Sequence, residues 1–445
     1  MLKVLHKTTP FTTMPLPFDK VSIKGKKRNK VPFVGLSKKR ITGILLFLIT
    51  VLSLSCTQGS SEKTVKVPEK DSIISAVFKI ADKQFRLLID SAESHDPLWM
   101  PRTLRSDGSI VFVPKEDWTS GFFPGSLWYM YEYTGDGFWK KKAEKFTEAL
   151  DSIQYIKWNH DVGFMVGDSY GNGYRLTKKP GYKDVIIEAA KSLSTRYRPV
   201  AKVIQSWDTN AGWIAEKGWD MPVIIDNMMN LDLLFKAAEL SGDSGFINIA
   251  VNHSYTTIKN HFRPDYSSYH VIDYDHKTGE VLHKNTGQGY ADESAWARGQ
   301  AWGLYGFTET YGNSQNKDFL EQAKHIADFI INNPKIPDDN IPYWDYDAPD
   351  IPNAPRDASA AAITASALLE LQKYVPEKRD VYIKYAEKIL KTLSTHEYLA
   401  RPGENGGFLL TRSVGNIHTG EDVNNALNYA DYYFLEAMIR WKNLK

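Results

Sequence analysis

Two short segments set an aspartate beside apolar sequence. In Asn159-His-Asp-Val-Gly-Phe-Met165, Asp161 stands at a break between helix and loop. In Ile224-Ile-Asp-Asn-Met-Met-Asn-Leu-Asp-Leu-Leu-Phe235, Asp226 opens an otherwise apolar helix. A carboxyl at the edge of a low-dielectric core is raised in pKa and can keep its proton near neutrality. The same place is also a helix N-cap, where an aspartate that accepts backbone N–H groups is lowered instead. For Asp226 the residues alone leave both readings open. Two further acidic groups read as structural. Asp345-Tyr-Asp347 with Asp350 lies in a Pro-rich loop, where turn chemistry accounts for them. Glu421-Asp422 reads as first-turn charge ahead of a helix.

A second constellation runs from Gln288 to Gly306. A Gly-containing approach, Gln288-Gly-Tyr-Ala-Asp-Glu-Ser294, leads into a helix for which Asp292 and Ser294 are expected caps. Arg298 and Trp302 are four apart and share one helix face. With Thr286 and Gln288 beside them they suit an anionic ring, the Trp as a flat apolar platform and the Arg as a fork for a carboxylate. A buried Trp helix with an Arg at its rim is the alternative. His160, His261 and His270 fall in the same loops, but no pair has metal-ligand spacing, so no catalytic metal or cofactor is expected. Gly-rich phosphate loops are absent. What remains is acid catalysis by one or two carboxyls, with His and Arg around them and rings from Trp118, Trp296 and Trp302. Near a sugar, two such carboxyls mean glycoside cleavage, one kept protonated by burial and by its neighbour.

Helices must position these groups. From Asp71 onward apolar residues recur at three- and four-residue steps, and strand alternation is rare. A weak repeat of helix, short turn and helix appears at Trp128–Phe146, Leu233–Ile258, Tyr305–Ile331 and Ala365–Leu393. Ser192–Trp207 and Tyr429–Trp441 look like further members. Copies roughly 65 to 110 residues apart imply stacked hairpins or a closed ring. Long aromatic and charged loops, such as 158–175 and 265–290, favour the ring, with function gathered at one end. Residues 71–445 therefore read as one all-α domain of about six hairpins.

Composition narrows the partners. The 445 residues carry a formal charge of +2, and much of the positive charge lies before Ile41, so nucleic acid is not an expected partner. Trp 12, Tyr 24 and Phe 20 make the chain rich in rings that stack on sugars or fill helical cores. Cys56 is the single cysteine, which excludes an internal disulfide. It ends an apolar run, Ile41 to Leu54, preceded by Lys38-Lys39-Arg40. Basic, apolar and small-residue segments in that order form a signal peptide. The lone Cys is similar to the acylated cysteine of bacterial lipoproteins, and the run is short for a membrane span. Residues 1–56 are thus a leader with a lipoprotein-type signal and 57–70 a tether. The expected location is the cell envelope, with membrane contact only through lipid on Cys56.

Five motifs occur together and in order: Asp117-Trp-Thr-Ser-Gly-Phe-Phe-Pro-Gly125, His160-Asp-Val-Gly-Phe164, Ile225-Asp-Asn-Met-Met-Asn-Leu231, Gln288–Phe307, and Pro342-Tyr-Trp-Asp-Tyr-Asp-Ala-Pro349 with Pro355-Arg-Asp-Ala-Ser-Ala-Ala361. This set resembles glycoside hydrolase family 88, the unsaturated glucuronyl hydrolases, from about Asp117 to Leu435. The resemblance implies an (α/α)6 barrel of six hairpins. It also implies release of a 4,5-unsaturated uronic acid from the non-reducing end of lyase-made glycosaminoglycan oligosaccharides of chondroitin or hyaluronan type, by adding water across the C4=C5 bond. By position, Asp226 matches the family's proton donor and Asp161 its second aspartate, whose charge would raise Asp226. Arg298 and Trp302 match the substrate-holding pair, with Trp118, His160, His270, Thr286, Gln288 and Trp296 around it. Unsaturated rhamnogalacturonan ends are the alternative substrate, and a surface glycan-binding lipoprotein without turnover the alternative class.

Overall fold

The structure, a computed structural model, describes residues 69–210, 212–420 and 422–444; the leader, Cys56 and the tether up to residue 68 lie outside them. Among the described residues fourteen α-helices follow in order: α1 Glu69–Ala92, α2 Phe122–Thr134, α3 Gly137–Glu148, α4 Val162–Val166, α5 Asn172–Thr177, α6 Pro180–Ser194, α7 Gly212–Glu216, α8 Asn227–Ser241, α9 Ser244–His261, α10 Ala297–Ser314, α11 Lys317–Asn332, α12 Ala358–Leu371, α13 Arg379–Leu393 and α14 Asn428–Lys442.

Burial sorts them into two layers. In α12 every residue except Glu370 is buried, and α14 is buried from Asn428 to Ile439 and again at Trp441. In α11 only Phe319, Gln322, Ala323, Ile326, Ala327 and Ile330 are buried, one stripe at three- and four-residue steps. A helix apolar all round lies inside and one with a single stripe lies outside. The inner helices pack in a closed circuit, α2 to the α4–α5 segment, then α8, α10, α12, α14 and back to α2. The outer helices α3, α6, α9, α11 and α13 each back an inner one, and α1 lies against α2 and α14. This is the (α/α)6 barrel, all-α as expected.

The repeat has a local cause at its turns. Gly135 ends α2 at φ 69° and Gly242 ends α8 at φ 78°. That left-handed conformation closes a helix and costs little only for glycine. The next residue, Asp136 or Asp243, is extended and its carboxylate accepts the N–H two residues on, starting the outer helix. Gln315-Asn316 repeats the device between α10 and α11.

Three expectations fail. Tyr429–Trp441 is no hairpin but lies within the single helix α14. Ser192–Trp207 is not a hairpin: α6 stops at Ser194, and β3 Tyr197–Arg198 pairs with β4 Val203–Ile204. The second inner element is instead broken, α4 and α5 being joined by a π-helical turn at Gly167–Gly171. Glycines 163, 167, 171 and 173 weaken helical propensity there, and two of them serve close packing. A Cβ on Gly163 would stand 2.3–2.6 Å from atoms of Asn230, and one on Gly173 would meet Tyr182 and Trp128. Nor does Glu421-Asp422 adjoin a helix. Glu421 lies outside the described residues, and β9 Val423–Asn425, paired with β8 Ser413–Val414, intervenes before α14. Asp422 instead accepts from Arg102 at 3.3 Å.

Connections from inner to outer helices are short, whereas every connection leading into an inner helix is long. The long ones carry the remaining strands: β1 Met100–Leu104 with β2 Ile110–Val113, and an antiparallel sheet of β5 Met221–Ile224, β6 Val271–Tyr274 and β7 Val281–Asn285. All of them therefore meet at the N-terminal mouth of the inner ring. Helix N-termini carry partial positive charge, which favours an anionic guest.

Candidate active site

Asp226 sits at the N-cap of α8, yet its side chain makes no capping bond. Its backbone is already helical, φ −55° and ψ −27°, whereas a capping side chain reaches back from extended backbone. The segment is fixed there because Ile225 N–H donates to His270 O at 3.0 Å, prolonging the β5–β6 ladder. The carboxyl is left in the ring mouth, its Oδ2 buried and without a hydrogen-bond partner. Burial pushes it up to about 7, against the Arg298 charge and the Trp302 indole, which pull it down. The capping alternative is thereby removed.

Asp161 holds the corresponding place before α4 and also leaves its helix uncapped. Burial is the largest cause raising it, to about 8; the charges of Asp226 and Asp117 add to that, while the Asn230 hydrogen bond and Arg196 oppose it. Burial is the largest cause of both rises, and each carboxylate opposes the ionisation of the other. Near neutrality the pair retains a proton.

Each carboxyl faces a neutral histidine. His270 Nδ1 accepts from the backbone N–H groups of Gly287 (3.0 Å) and Gln288 (3.2 Å), which assigns the ring hydrogen to Nε2, 3.6 Å from Asp226 Oδ2. Asn230 Nδ2 lies 3.3 Å from His160 Nδ1, and His160 Nε2 lies 3.4 Å from Asp161 Oδ1. Burial holds both imidazoles down at about 3, so neither is charged in the working range.

Arg298 and Trp302 do share a face, and both bear on Asp226. Their expected roles need correction. The guanidinium is not an open fork: Nη1 donates to Asp357 Oδ2 at 3.3 Å and to Val414 O, and Nη2 donates to Gly415 O at 2.6 Å. Only Nε–H has no acceptor. Trp302 is no platform, being fully buried between Phe164 and Tyr433 (ring centroids 5.2 and 5.4 Å), with its indole directed at Asp226. Trp296 is buried under the Arg298 cation at 4.5 Å and tilts against His270 at 4.6 Å. Half-buried Trp118, beside Tyr429 at 5.2 Å, still offers a ring. Thr286 Oγ1 accepts from Gly289 N and so holds a turn, and Gln288 Nε2 donates to Gly415 O at 3.1 Å. Asp292 and Ser294 do not cap α10. Its N-cap is Trp296, Asp292 accepts from Thr286 N, and Ser294 Oγ donates to Asp345. Asp345 is the turn residue expected, and it pins the 286–294 loop through Tyr290 N as well. His261 is a core residue bonded to Val223 O.

Residues not singled out from sequence also shape the site: Asn230, Arg196, Asp357 and the stacked pair Trp207–Trp219, 6.0 Å apart with Trp207 6.2 Å from His270. Asn230 and Asp357 lie inside quoted motifs, so a signal existed. Arg196 reaches the site only through the β3–β4 turn.

A cavity of about 430 Å³ opens at the opposite, C-terminal end of the ring. It is not the chemical site. Its carboxylates are already engaged: Glu436 accepts from Tyr129 (2.7 Å), Tyr305 (3.0 Å) and Ser366 (2.5 Å), and Arg440 pairs with Glu309.

Two buried carboxyls that keep a proton, flanked by neutral imidazoles and indoles at the positive mouth of a helical barrel, make the candidate site of a glycosidase. The Glycosyl Hydrolase Family 88 model matches residues 99–444, and the chain belongs to that family. An unsaturated glucuronyl hydrolase of Formosa agariphila is 43% identical over 405 residues, covering 90% of this chain and 98% of that protein. An unsaturated chondroitin disaccharide hydrolase of Streptococcus pyogenes is 33% identical over 83% of this chain and 91% of its own length. Among solved structures, an unsaturated glucuronyl hydrolase specific for heparin superposes with a TM-score of 0.79 at 47% identity, covering 83% of this chain and 97% of that one.

Proposed function

We propose that the enzyme releases the unsaturated uronic acid of glycosaminoglycan fragments, with Asp226 as proton donor and Asp161 as its charged partner. The observation that carries this reading is the uncapped, buried Asp226 carboxyl beside Asp161. The C4=C5 bond of the substrate is a vinyl ether. Asp226 gives its proton to C4, and cationic charge develops at C5 and the ring oxygen. Ionised Asp161 stabilises that charge. Asp226, now a base, takes a proton from water as its oxygen bonds to C5. The resulting hemiketal opens to a ketone at C5 by cleaving its bond to the ring oxygen, which leaves C1 as a hemiacetal. That hemiacetal becomes an aldehyde as the C1–O bond to the next sugar breaks and the sugar leaves as an alcohol. No covalent glycosyl-enzyme is required. His270 presents its Nε2–H to substrate oxygens, and Trp118 with Trp207 supplies ring surface.

The relatives' names divide between chondroitin and heparin. The test is a panel of unsaturated disaccharides from chondroitin, hyaluronan, heparin and pectin, followed by loss of the double-bond ultraviolet absorbance. Turnover is expected on the glycosaminoglycan members. Turnover on the pectin disaccharide alone would transfer the reading to rhamnogalacturonan ends, and tight binding without absorbance loss would remove catalysis.

We also propose that Cys56 carries lipid and holds the enzyme at the cell envelope. The basic, apolar and small-residue order up to Cys56 supports this, and a tether after it would leave the barrel free to meet soluble fragments. In a detergent phase-partition assay on cells expressing the full chain, the protein should follow the detergent and Cys56→Ala should not. An unmodified chain in the aqueous phase contradicts the anchor.

A further inference from the structure

Asn230 is fully buried on α8, one turn after Asp226, and it joins the two acid-bearing elements. Its Oδ1 accepts the Phe164 N–H at 2.9 Å, which fixes the amide orientation. Both Nδ2 hydrogens then point at the other half of the site, toward Asp161 Oδ1 at 3.4 Å and His160 Nδ1 at 3.3 Å. Gly163 supplies the room, since any Cβ there would overlap Asn230.

We infer that Asn230 is a positioning residue that decides which carboxyl of the pair holds the shared proton, by donating to Asp161 and by fixing the His160 tautomer that presents Nε2–H to it. The inference rests on the acid–base reading of the pair. A donor to a carboxyl favours its ionised form, and the Asn230 bond is the leading influence that lowers Asp161. Asp161 is also faced by Asp226 from α8, Asp117 from the loop before α2, Arg196 from the strand turn after α6, and neutral His160 beside it. Two of these are acidic and push the proton toward Asp161. Asn230 opposes them and draws the proton toward Asp226, where the substrate needs it.

Asn230→Asp separates this role from simple support. It is isosteric, and its Oδ1 can still take the Phe164 N–H. Both donors are lost, however, and His160 must turn its N–H toward the new carboxyl. With an unsaturated chondroitin disaccharide, kcat should fall about 100-fold, the scale of a misplaced catalytic group, with KM little changed because Asn230 cannot touch the sugar. The acid limb of the kcat profile should move to higher pH, since Asp161 ionises later. Asn230→Leu, which adds no charge, should move that limb the same way with a smaller loss. Wild-type kcat and pH profile in Asn230→Asp would overturn the inference. So would a loss in both variants with the limb unmoved, which is the signature of damaged support. Wild type and Asp226→Asn are measured alongside: if Asp226→Asn keeps turning over, the acid–base reading itself has failed, and the inference with it.

Discussion

Asp226→Asn is expected to lower kcat by about 10²–10⁴-fold, the usual worth of a general acid, while the barrel stays folded. The amide matches the carboxyl in shape but has no proton of useful acidity, and it cannot later act as the base. Nothing structural is lost, because the Asp226 side chain caps no helix and its Oδ2 has no partner. Stability should move the other way. The folded pKa of about 7 lies above the usual aspartate value of about 4. A carboxyl raised in the folded state contributes stability fully only below its unfolded pKa, and that contribution is lost as pH rises through the folded one. Between about pH 4 and 7 wild type therefore loses stability that the amide retains, and above pH 7 the variant should be the more stable protein. Initial rates by double-bond absorbance, with urea unfolding at pH 6 and 8, check both parts. A variant that turns over at the wild-type rate would remove Asp226 as the acid.

That trade, a buried charge kept at the expense of stability, also explains which parts of the site could be read in advance. The pair was legible because an aspartate before an apolar run is chemically conspicuous. Capping could be excluded only with the backbone angles of Asp226 in hand, since an N-cap and a catalytic acid share one sequence pattern. The hairpins were legible where a left-handed residue and an Asx cap stand together, as at Gly135-Asp136 and Gly242-Asp243. They failed at Ser192–Trp207, where local helical character gives way to a strand turn that Arg196 fills. Its guanidinium donates to Lys157 O, Gln205 O, Ser206 O and Asp208, partners from two separate loops. The arginine–tryptophan pair was placed well and its role misjudged. Sequence shows that a fork exists, whereas only tertiary structure shows that protein carbonyls already occupy it. Histidine tautomers are less accessible still, because the two N–H donors to His270 come from backbone seventeen and eighteen residues away.

Arg298→Met should carry the largest stability loss of any single change at the site. The guanidinium and Asp357 are both essentially inaccessible, at 1% and 0% side-chain exposure, and 3.3 Å apart. Methionine refills the space of the apolar stem but leaves Asp357 buried without its cation. Breaking such a pair from one side costs about 3–5 kcal/mol. The carbonyls of Val414 and Gly415 lose the guanidinium in the same step, so the 413–415 segment loosens over the mouth, where Gln288 and the Gly415 N–H bond to Asp422 O still hold Gly415. Activity should change in a way that unfolding does not imitate. The Arg298 charge lowers Asp226, and without it the acid keeps its proton to higher pH, so the alkaline limb of kcat moves upward. Arg298→Lys should not rescue stability, because one ammonium cannot span three acceptors in a fixed plane. Adding Asp357→Asn to Arg298→Met should recover part of the stability while leaving the displaced alkaline limb in place. Urea unfolding and a pH–rate series on the two single variants and the double variant decide it: a loss under about 1 kcal/mol would make the pair a surface-like contact, and an unmoved alkaline limb would detach Arg298 from the acid.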